Sequence, residues 1–339
     1  MRNDPNVIVA AELWFAQSTQ MPLGAGHIHH TYLVTTPDKR SYVLQQINDS
    51  VYLDVELLHE QTQRVIDHLR GHQDYAQRYQ VATLILSVNG SAYERLHGQI
   101  WRVWNYLQPS SVIDPPRTRL QIMQAARTFA DFQRAVASLD PPALKPTIKG
   151  FLDWKFYRDQ FEEVAHKAPP ELLQLIDNVG NGRSMLEGAN AYIHGDCKIN
   201  NLLFDATGAR TLAVIDLDNV MWGHWAWDFG DLVRSVSFSR SGFKLTDYQA
   251  CAQGYLAGMP GRADDIEPLV QAPAHITLML AMRFLTDHLR GDSYFKVSEA
   301  GENLRRAQQQ FDVYRQMVLA QDDMRSVCAN YTSTRPQDR

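Results

Sequence analysis

The sequence predicts an α+β protein in two parts, a β-rich first part with one main helix and a mostly helical second part. Three observations carry that expectation. A chain of 339 residues is too long for one compact core of ordinary size and comfortable for two. Strand-like alternation and turn compositions fill the chain up to Leu107, interrupted by one helical stretch. From Gln108 onward apolar residues recur at helical spacing, with one β interruption.

Taken in order, Ile28 to Val34 and Ser41 to Ile47 are β-rich, and T-T-P-D-K-R between them has a turn composition. Asp54 to Arg70 places Val55, Leu58, Val65 and Leu69 at helical spacing and stops at Gly71. Val81 to Val88 reads as a strand, and Ile100 to Leu107 as another, reached through L-H-G-Q. Pro109, Pro115 and Pro116 then punctuate a linker, which puts the expected boundary between residues 1–107 and 108–339. Helical patterns follow at Arg119 to Leu139, Lys155 to Ala168, Leu172 to Asn178, Tyr248 to Leu256, Ala274 to Leu289 and Leu304 to Leu319. The β interruption runs from Asn201 to Phe204, turns at D-A-T-G-A-R, and returns from Thr211 to Leu217. The polar tail from Ala329 is expected to fray.

Bulk chemistry narrows the function. A net charge of −5 and a pI near 6.2 lack the basic balance of a general nucleic-acid binder. The three cysteines, Cys197, Cys251 and Cys328, have neither metal-ligand spacing nor an even count for a disulfide framework, which suggests a reducing compartment. The N-terminal apolar run is short and meets Glu12, a poor signal peptide. No stretch of the sequence reads as a bilayer span. The expectation is a cytoplasmic protein with a small-molecule substrate, no nucleic-acid or membrane partner, and an oligomeric state that the sequence leaves open.

The chemistry concentrates between Tyr192 and Arg234. Phosphoryl transfer needs in-line geometry and positive charge over the phosphates, which hard oxygen ligands supply through a metal. It also needs a carboxylate to orient the attacking hydroxyl and take its proton. In H-G-D-C-K-I-N-N, Asp196 precedes Asn201 by the separation that kinase catalytic loops use, and Asp216 ends the run A-V-I-D after an intervening hairpin. Singly, each is an ordinary loop or strand-end polar residue. Together they make Asp196 a candidate catalytic base and Asn201 and Asp216 candidate magnesium ligands. Strand alternation puts Asp218 on the side of Asp216, as a second ligand or an outer group. His194 reads as a structural hydrogen-bonding residue.

These segments resemble the aminoglycoside phosphotransferase and choline kinase superfamily, whose loop reads H-G-D-x-x-x-x-N followed by I-D. The resemblance implies a bilobal protein-kinase-like fold, ATP and Mg2+, a nucleotide-binding first lobe and a catalytic, substrate-binding second lobe. It also implies an adenine site at the hinge from Trp104 through Tyr106 to Leu107. Within that superfamily, G-A-G-H-I-H-H-T-Y-L-V, Y-V-L-Q-Q-I-N, the catalytic segments and R-F-L-T-D-H-L-R-G-D-S-Y-F look most like N-acetylhexosamine 1-kinases. That likeness implies a monosaccharide acceptor phosphorylated at its anomeric hydroxyl, with Asp196, Arg283 and Tyr294 touching it. Asp228 and Asp231 resemble the family's D-x-x-D stretch, which braces the catalytic loop, with Arg234 as a pairing partner.

Gln45 departs from the lysine that ends the V-A-I-K strand of protein kinases. It can hydrogen-bond a phosphate but brings no charge; Lys39, Arg40 and Lys198 are open as compensating cations, and Glu60 as the helix glutamate. Gly24 and Gly26 precede the first hairpin as a phosphate loop or as plain turn glycines. His29 and His30 point to opposite strand faces and do not converge on one metal. Of Trp222, Trp225 and Trp227, packing is expected for two. The rivals to the sugar reading are another kinase of the superfamily, for an aminoglycoside, choline, homoserine or methylthioribose, and a pseudokinase-like binding module.

Overall fold

The computed structural model describes residues 5–24, 28–108, 110–180, 186 and 188–333. The chain forms two compact units, residues 1–110 and 111–339.

In the first unit, α1 (Pro5–Glu12) precedes the strands β1 (Thr19–Pro22), β2 (His30–Thr35) and β3 (Ser41–Ile47). After them come α2 (Val55–Gly71), the single turn α3 (Gln73–Ala76), β4 (Leu84–Ile85), β5 (Tyr93–Leu96) and β6 (Gln99–Asn105). The antiparallel sheet runs β1-β2-β3-β6-β4, and β5 also pairs with β6. Asp54 caps α2 by accepting the Leu57 N–H at 2.9 Å. The helix covers the expected span and buries Val55, Leu58, Val65 and Leu69. The N-terminal apolar run, not expected to fold into an element, forms α1. Its Val7, Ala10 and Ala11 join Trp14, Val34, Leu44, Trp101 and Val103 in one core.

Two strand expectations need correction. Val81 to Val88 supplies only the short β4, because Ser87 turns the chain by bonding Ser91, and Thr83 bonds the Asn105 side chain. The strand β5 was not expected at all. His97 (φ 50°) and Gly98 (φ 78°) are the two left-handed residues of a tight hairpin turn, so L-H-G-Q joins two strands and does more than lead into one.

The second unit starts with the short β7 (Ser111–Val112) and α4 (Arg119–Val136), which opens on a reciprocal Thr118–Gln121 capping box. It continues with α5 (Trp154–Glu162), α6 (Pro170–Gly180), β8 (Ala191–Ile193), β9 (Leu202–Phe204), β10 (Thr211–Val214) and β11 (Met221–Gly223). The helices α7 (Ala226–Ser239), α8 (Leu245–Gly258), α9 (Glu267–Leu289), α10 (Glu302–Leu319) and α11 (Gln321–Ser333) complete it. β9 pairs with β10 and β7, and β8 with β11.

Helix α7 escaped the apolar pattern because it buries Asp228, Asp231, Arg234 and Ser237 beside its apolar residues. Helix α5 ends sooner than expected, at Glu162, with a single tight turn over Ala165–Lys167 after it. Helix α9 starts before Pro273, where the sequence suggested a boundary. Proline cannot bond the carbonyl four residues back, and here that carbonyl, of Leu269, accepts the Tyr248 hydroxyl at 3.3 Å. Helix α9 is also the one helix among the described residues long and apolar enough to cross a membrane, but 78% of that window is buried inside the protein. Polar residues past Ala329 continue α11 to Ser333.

Candidate active site

The site is assembled in the second unit from the end of β8 to the start of α7. Strand β8 delivers His194 into the interior, where it is fully buried. Its Nδ1 accepts the Asp196 N–H at 3.3 Å, and its Nε2 donates to the Ile215 carbonyl at 3.0 Å. Phe129 and Phe132 flank the ring edge-on. With both nitrogens committed, His194 is the structural residue that the sequence suggested.

Asp228, in the first turn of α7, accepts the backbone N–H of His194 at 2.8 Å and of Gly195 at 2.9 Å. One buried carboxylate therefore holds the backbone of the two residues before Asp196. Burial pushes its acid up from the usual carboxylate range, and His194 beside it opposes the rise. Asp231 and Arg234 close a buried ion pair, with Nε at 2.8 Å. Gly195 has φ 81°, and a Cβ there would come within 2.7 Å of the Asn219 carbonyl oxygen. Only glycine suits that approach.

Two side chains, Asn201 and Lys198, hold Asp196. Asn201 Nδ2 donates to its backbone oxygen and to Oδ2, both at 2.9 Å. Lys198 Nζ lies 2.7 Å from Oδ1 and 3.0 Å from Oδ2. Burial would raise the Asp196 acid, but the Lys198 ammonium overrides it and holds the acid below the usual range. The carboxylate is thus ionised and aimed at neutral pH.

The β9–β10 hairpin returns the chain to this loop. The Ile215 N–H donates to the Asn201 carbonyl at 3.0 Å, which sets Asp216 next in sequence beside Asn201. Asp216 takes a left-handed backbone (φ 63°), and residues 217–219 turn tightly after it. Strand alternation therefore stops at Asp216. Asp218 is buried, and its own carbonyl accepts the Thr147 hydroxyl at 2.6 Å, so the expected shared side with Asp216 does not arise from a strand.

The residue types fit a hard divalent cation: with Asn201 Nδ2 donating to Asp196, its Oδ1 is an oxygen of the kind such an ion takes, and Asp216 is a carboxylate of the same kind. Magnesium takes one or two such ligands when phosphates and water supply the rest. No cluster of three or more His, Cys, Asp or Glu suited to a metal occurs among the described residues.

Gly24 is left-handed (φ 71°), with open space where a Cβ would project; Gly26 and His27 lie outside the described residues. Gln45 is engaged within the sheet: its Oε1 accepts Trp104 Nε1 at 2.7 Å and Arg102 Nε at 3.1 Å. Arg102, directly opposite Gln45 on β6 and 1% exposed, is a cation that sequence reasoning passed over. The signal was a charged residue inside an otherwise apolar strand. Tyr106 follows β6 and is half-buried. Lys39 and Arg40 are exposed in the β2–β3 turn, and Glu60 is exposed on α2, where Glu56 makes the contacts, to Arg95 and Tyr93. His29 is buried with Nδ1 accepting the Asn48 N–H at 3.2 Å, while His30 is exposed.

Further along the second unit, Arg283 of α9 lies 4.6 Å from the Tyr157 ring, 5.4 Å from Phe295 and 5.8 Å from Tyr294. Trp225 is buried, Trp227 donates Nε1 to the Leu186 carbonyl at 3.2 Å, and Trp222 is exposed. His275 of α9 is buried between Trp154 and Trp227, each 6.1 Å away ring to ring.

The profile of the phosphotransferase enzyme family matches residues 19–264. The chain belongs to that family. As a phosphotransferase it has solved neighbours throughout its length. An aminoglycoside phosphotransferase from Alicyclobacillus acidocaldarius superposes with a TM-score of 0.61 at 13% identity, covering 97% of this chain and 98% of the other. An amicoumacin kinase in complex with AMP-PNP, Ca2+ and Ami gives 0.58 at 16% identity, covering 93% and 94%. A choline/ethanolamine kinase family protein from Mesorhizobium loti gives 0.59 at 13% identity, covering 93% of each. These likenesses establish the protein-kinase-like fold. A 109-residue stretch is 28% identical to acyl-CoA dehydrogenase family member 11 of Gallus gallus, amounting to 32% of this chain and 13% of that protein's length.

Proposed function

We propose that this phosphotransferase is an ATP- and magnesium-dependent kinase that phosphorylates the anomeric hydroxyl of an N-acetylhexosamine or a related monosaccharide. The observation that carries the kinase reading is the Asp196 carboxylate, ionised by Lys198 and fixed by Asn201 on a loop anchored by Asp228. Asp196 orients the acceptor hydroxyl. The acceptor oxygen bonds to the γ-phosphorus, the bond from that phosphorus to the bridging oxygen breaks, ADP leaves, and the hydroxyl proton passes to Asp196. Asn201 and Asp216 would hold magnesium, which would supply positive charge against the phosphates. Lys198 steadies the Asp196 carboxylate and adds positive charge beside it. Gly24, Gly26, Gln45, Trp104 and Tyr106 are assigned to the nucleotide, with Gln45 acting by placing Arg102 and Trp104.

The sugar assignment draws on the acceptor-side residues. Phe151, just ahead of α5, would touch a Cβ on Gly195, next to Asp196, at 3.3 Å. From there α5 and α9 run together: Trp154 meets His275, and Tyr157 meets Arg283. Arg283 and Tyr294 are assigned to the acceptor on this basis.

A second reading, an amine-bearing alcohol, has support in the names of two solved neighbours, an aminopropanol kinase and a choline/ethanolamine kinase family protein. Magnesium-dependent ADP formation over a panel of N-acetylhexosamines, amino alcohols and aminoglycosides separates the two. The expected outcome is turnover with N-acetylglucosamine or N-acetylgalactosamine and a phosphorus NMR signal of an anomeric phosphate. Asp196→Asn is expected to lower kcat by roughly 10²- to 10⁴-fold with nucleotide binding retained. Near-parental turnover in that variant would remove Asp196 as the base, and nucleotide binding with no turnover on the panel would favour a binding module.

A further inference from the structure

Several arginines of the second unit come with carboxylates, while Arg262 packs over the Trp225 ring at 4.5 Å. Arg158 meets Asp177, Arg234 meets Asp231, Arg240 meets Asp247, Arg290 meets Glu163 and Arg306 meets Glu302. Arg283 is different. Among the described residues its guanidinium forms no ion pair or hydrogen bond, and it lies against the rings of Tyr157, Phe295 and Tyr294. Rings satisfy the faces of a guanidinium. They leave its in-plane N–H donors free for an oxygen acceptor.

The enclosure is fixed from behind. Asp287, one turn along α9, is buried and accepts the backbone N–H of Ser293 at 2.9 Å, Tyr294 at 2.8 Å and Phe295 at 2.9 Å. Asn303 of α10 donates to the same carboxylate at 2.9 Å. The segment carrying two of the three rings is therefore tied to the helix that carries the arginine. Phe295 also packs 4.5 Å from Phe284, and Tyr294 meets Phe295 edge-on.

An aromatic enclosure of this kind is the chemistry that attracts a ligand ammonium. Here the chain's own cation fills it. We propose that Arg283 determines acceptor specificity by charge: it hydrogen-bonds an uncharged or anionic oxygen of the acceptor, such as an amide carbonyl, and rejects acceptors that carry an ammonium at that position. The proposal rests on the assignment of Arg283 to the acceptor site made above. Asp287 is the positioning residue, acting through Tyr294 and Phe295.

Matched acceptor pairs that differ by one acetyl group test this in the full-length enzyme with ATP and magnesium: glucosamine and N-acetylglucosamine, galactosamine and N-acetylgalactosamine, ethanolamine and N-acetylethanolamine. At pH 6.5 the parent protein is expected to favour the acetylated member by roughly 10- to 100-fold in kcat/KM. Arg283→Gln is expected to narrow that ratio to within about threefold, chiefly by raising KM for the acetylated member and lowering it for the amine. Arg283→Lys keeps the charge and loses the fork, so it continues to reject the amine while binding the acetylated member more weakly. Asp287→Asn moves the ratio in the same direction as Arg283→Gln by a smaller factor. An arginine with a purely structural role would slow both members alike and leave the ratio unchanged, which overturns the proposal. Preference of the parent for the amine overturns it too, as does turnover of no member of any pair. Turnover confined to the ethanolamine pair, with the acetylated member favoured, upholds the charge filter and removes the sugar assignment.

Discussion

In the second unit a buried carboxylate, Asp228, holds the backbone that presents Asp196; in the first, Gln45 holds only other side chains, Arg102 and Trp104. The two arrangements differ in what a substitution can propagate. Backbone anchoring ties the loop to one geometry, because an unsatisfied buried N–H is costly and position 195 accepts only glycine. A side-chain triad across neighbouring strands leaves the strand ladder intact whatever replaces its members. The catalytic loop is therefore expected to fail abruptly, and the Gln45 cluster by degrees.

The largest effect follows from breaking the anchor. Asp228→Ala strands two buried N–H donors, at about 1–3 kcal/mol each, and should abolish turnover along with stability. Gly195→Ala should do likewise, since its Cβ would meet the Asn219 carbonyl. Thermal melts combined with kcat check both. Parental kcat in Asp228→Ala would show that the loop holds its shape without the carboxylate, and the contrast would dissolve.

A middle effect is expected from Gln45→Leu, which leaves Trp104 Nε1 and Arg102 Nε without their acceptor. The cost is about 1–3 kcal/mol, read as a lowered urea midpoint, with KM for ATP rising more than kcat falls. If stability and KM both stay at parental values, Gln45 is not what places Arg102.

The smallest effect is a shift in pH dependence. Lys198 holds the Asp196 acid below the usual carboxylate range, so the acidic limb of the kcat profile should lie below that range. Lys198→Met removes the largest attraction, leaves burial opposed only by the weaker pull of His194 and Arg234, and should move the limb upward. An unmoved limb would separate Asp196 from the titration that controls rate.

This contrast also marks what the sequence made readable. Asp196, Asn201 and Asp216 could be picked out because a loop and a hairpin bring them together over a short chain span, and Asp228 because D-F-G-D resembles the family's D-x-x-D stretch. Helix α2 was readable from Asp54 and its apolar spacing. Helix α7 was not, since burial of Asp228, Asp231 and Arg234 gives it the polar residues of an exposed segment. Arg102 was hidden because its partner, Gln45, lies on another strand and only register sets them opposite. The hydrogen bond from Tyr248 that carries α9 past Pro273 joins residues of separate helices and has no local signature. Arg283 was visible as a residue, but its enclosure depends on Tyr157, far earlier in the chain.

His275 gives the second unit a proton-sensitive keystone. Burial, with His224 nearby, pushes its pKa down from 6.5 to about 3, so the folded protein keeps the ring neutral while the unfolded chain binds a proton readily. The resulting stability is fully present above the ordinary histidine value and drains away as pH falls from 6.5 toward 3. Mild acid should therefore weaken the α5–α7–α9 junction, where Trp154 and Trp227 flank that ring. A His275→Phe protein, if it folds as well at neutral pH, should melt at nearly the same temperature at pH 5 as at pH 7, while the parent does not.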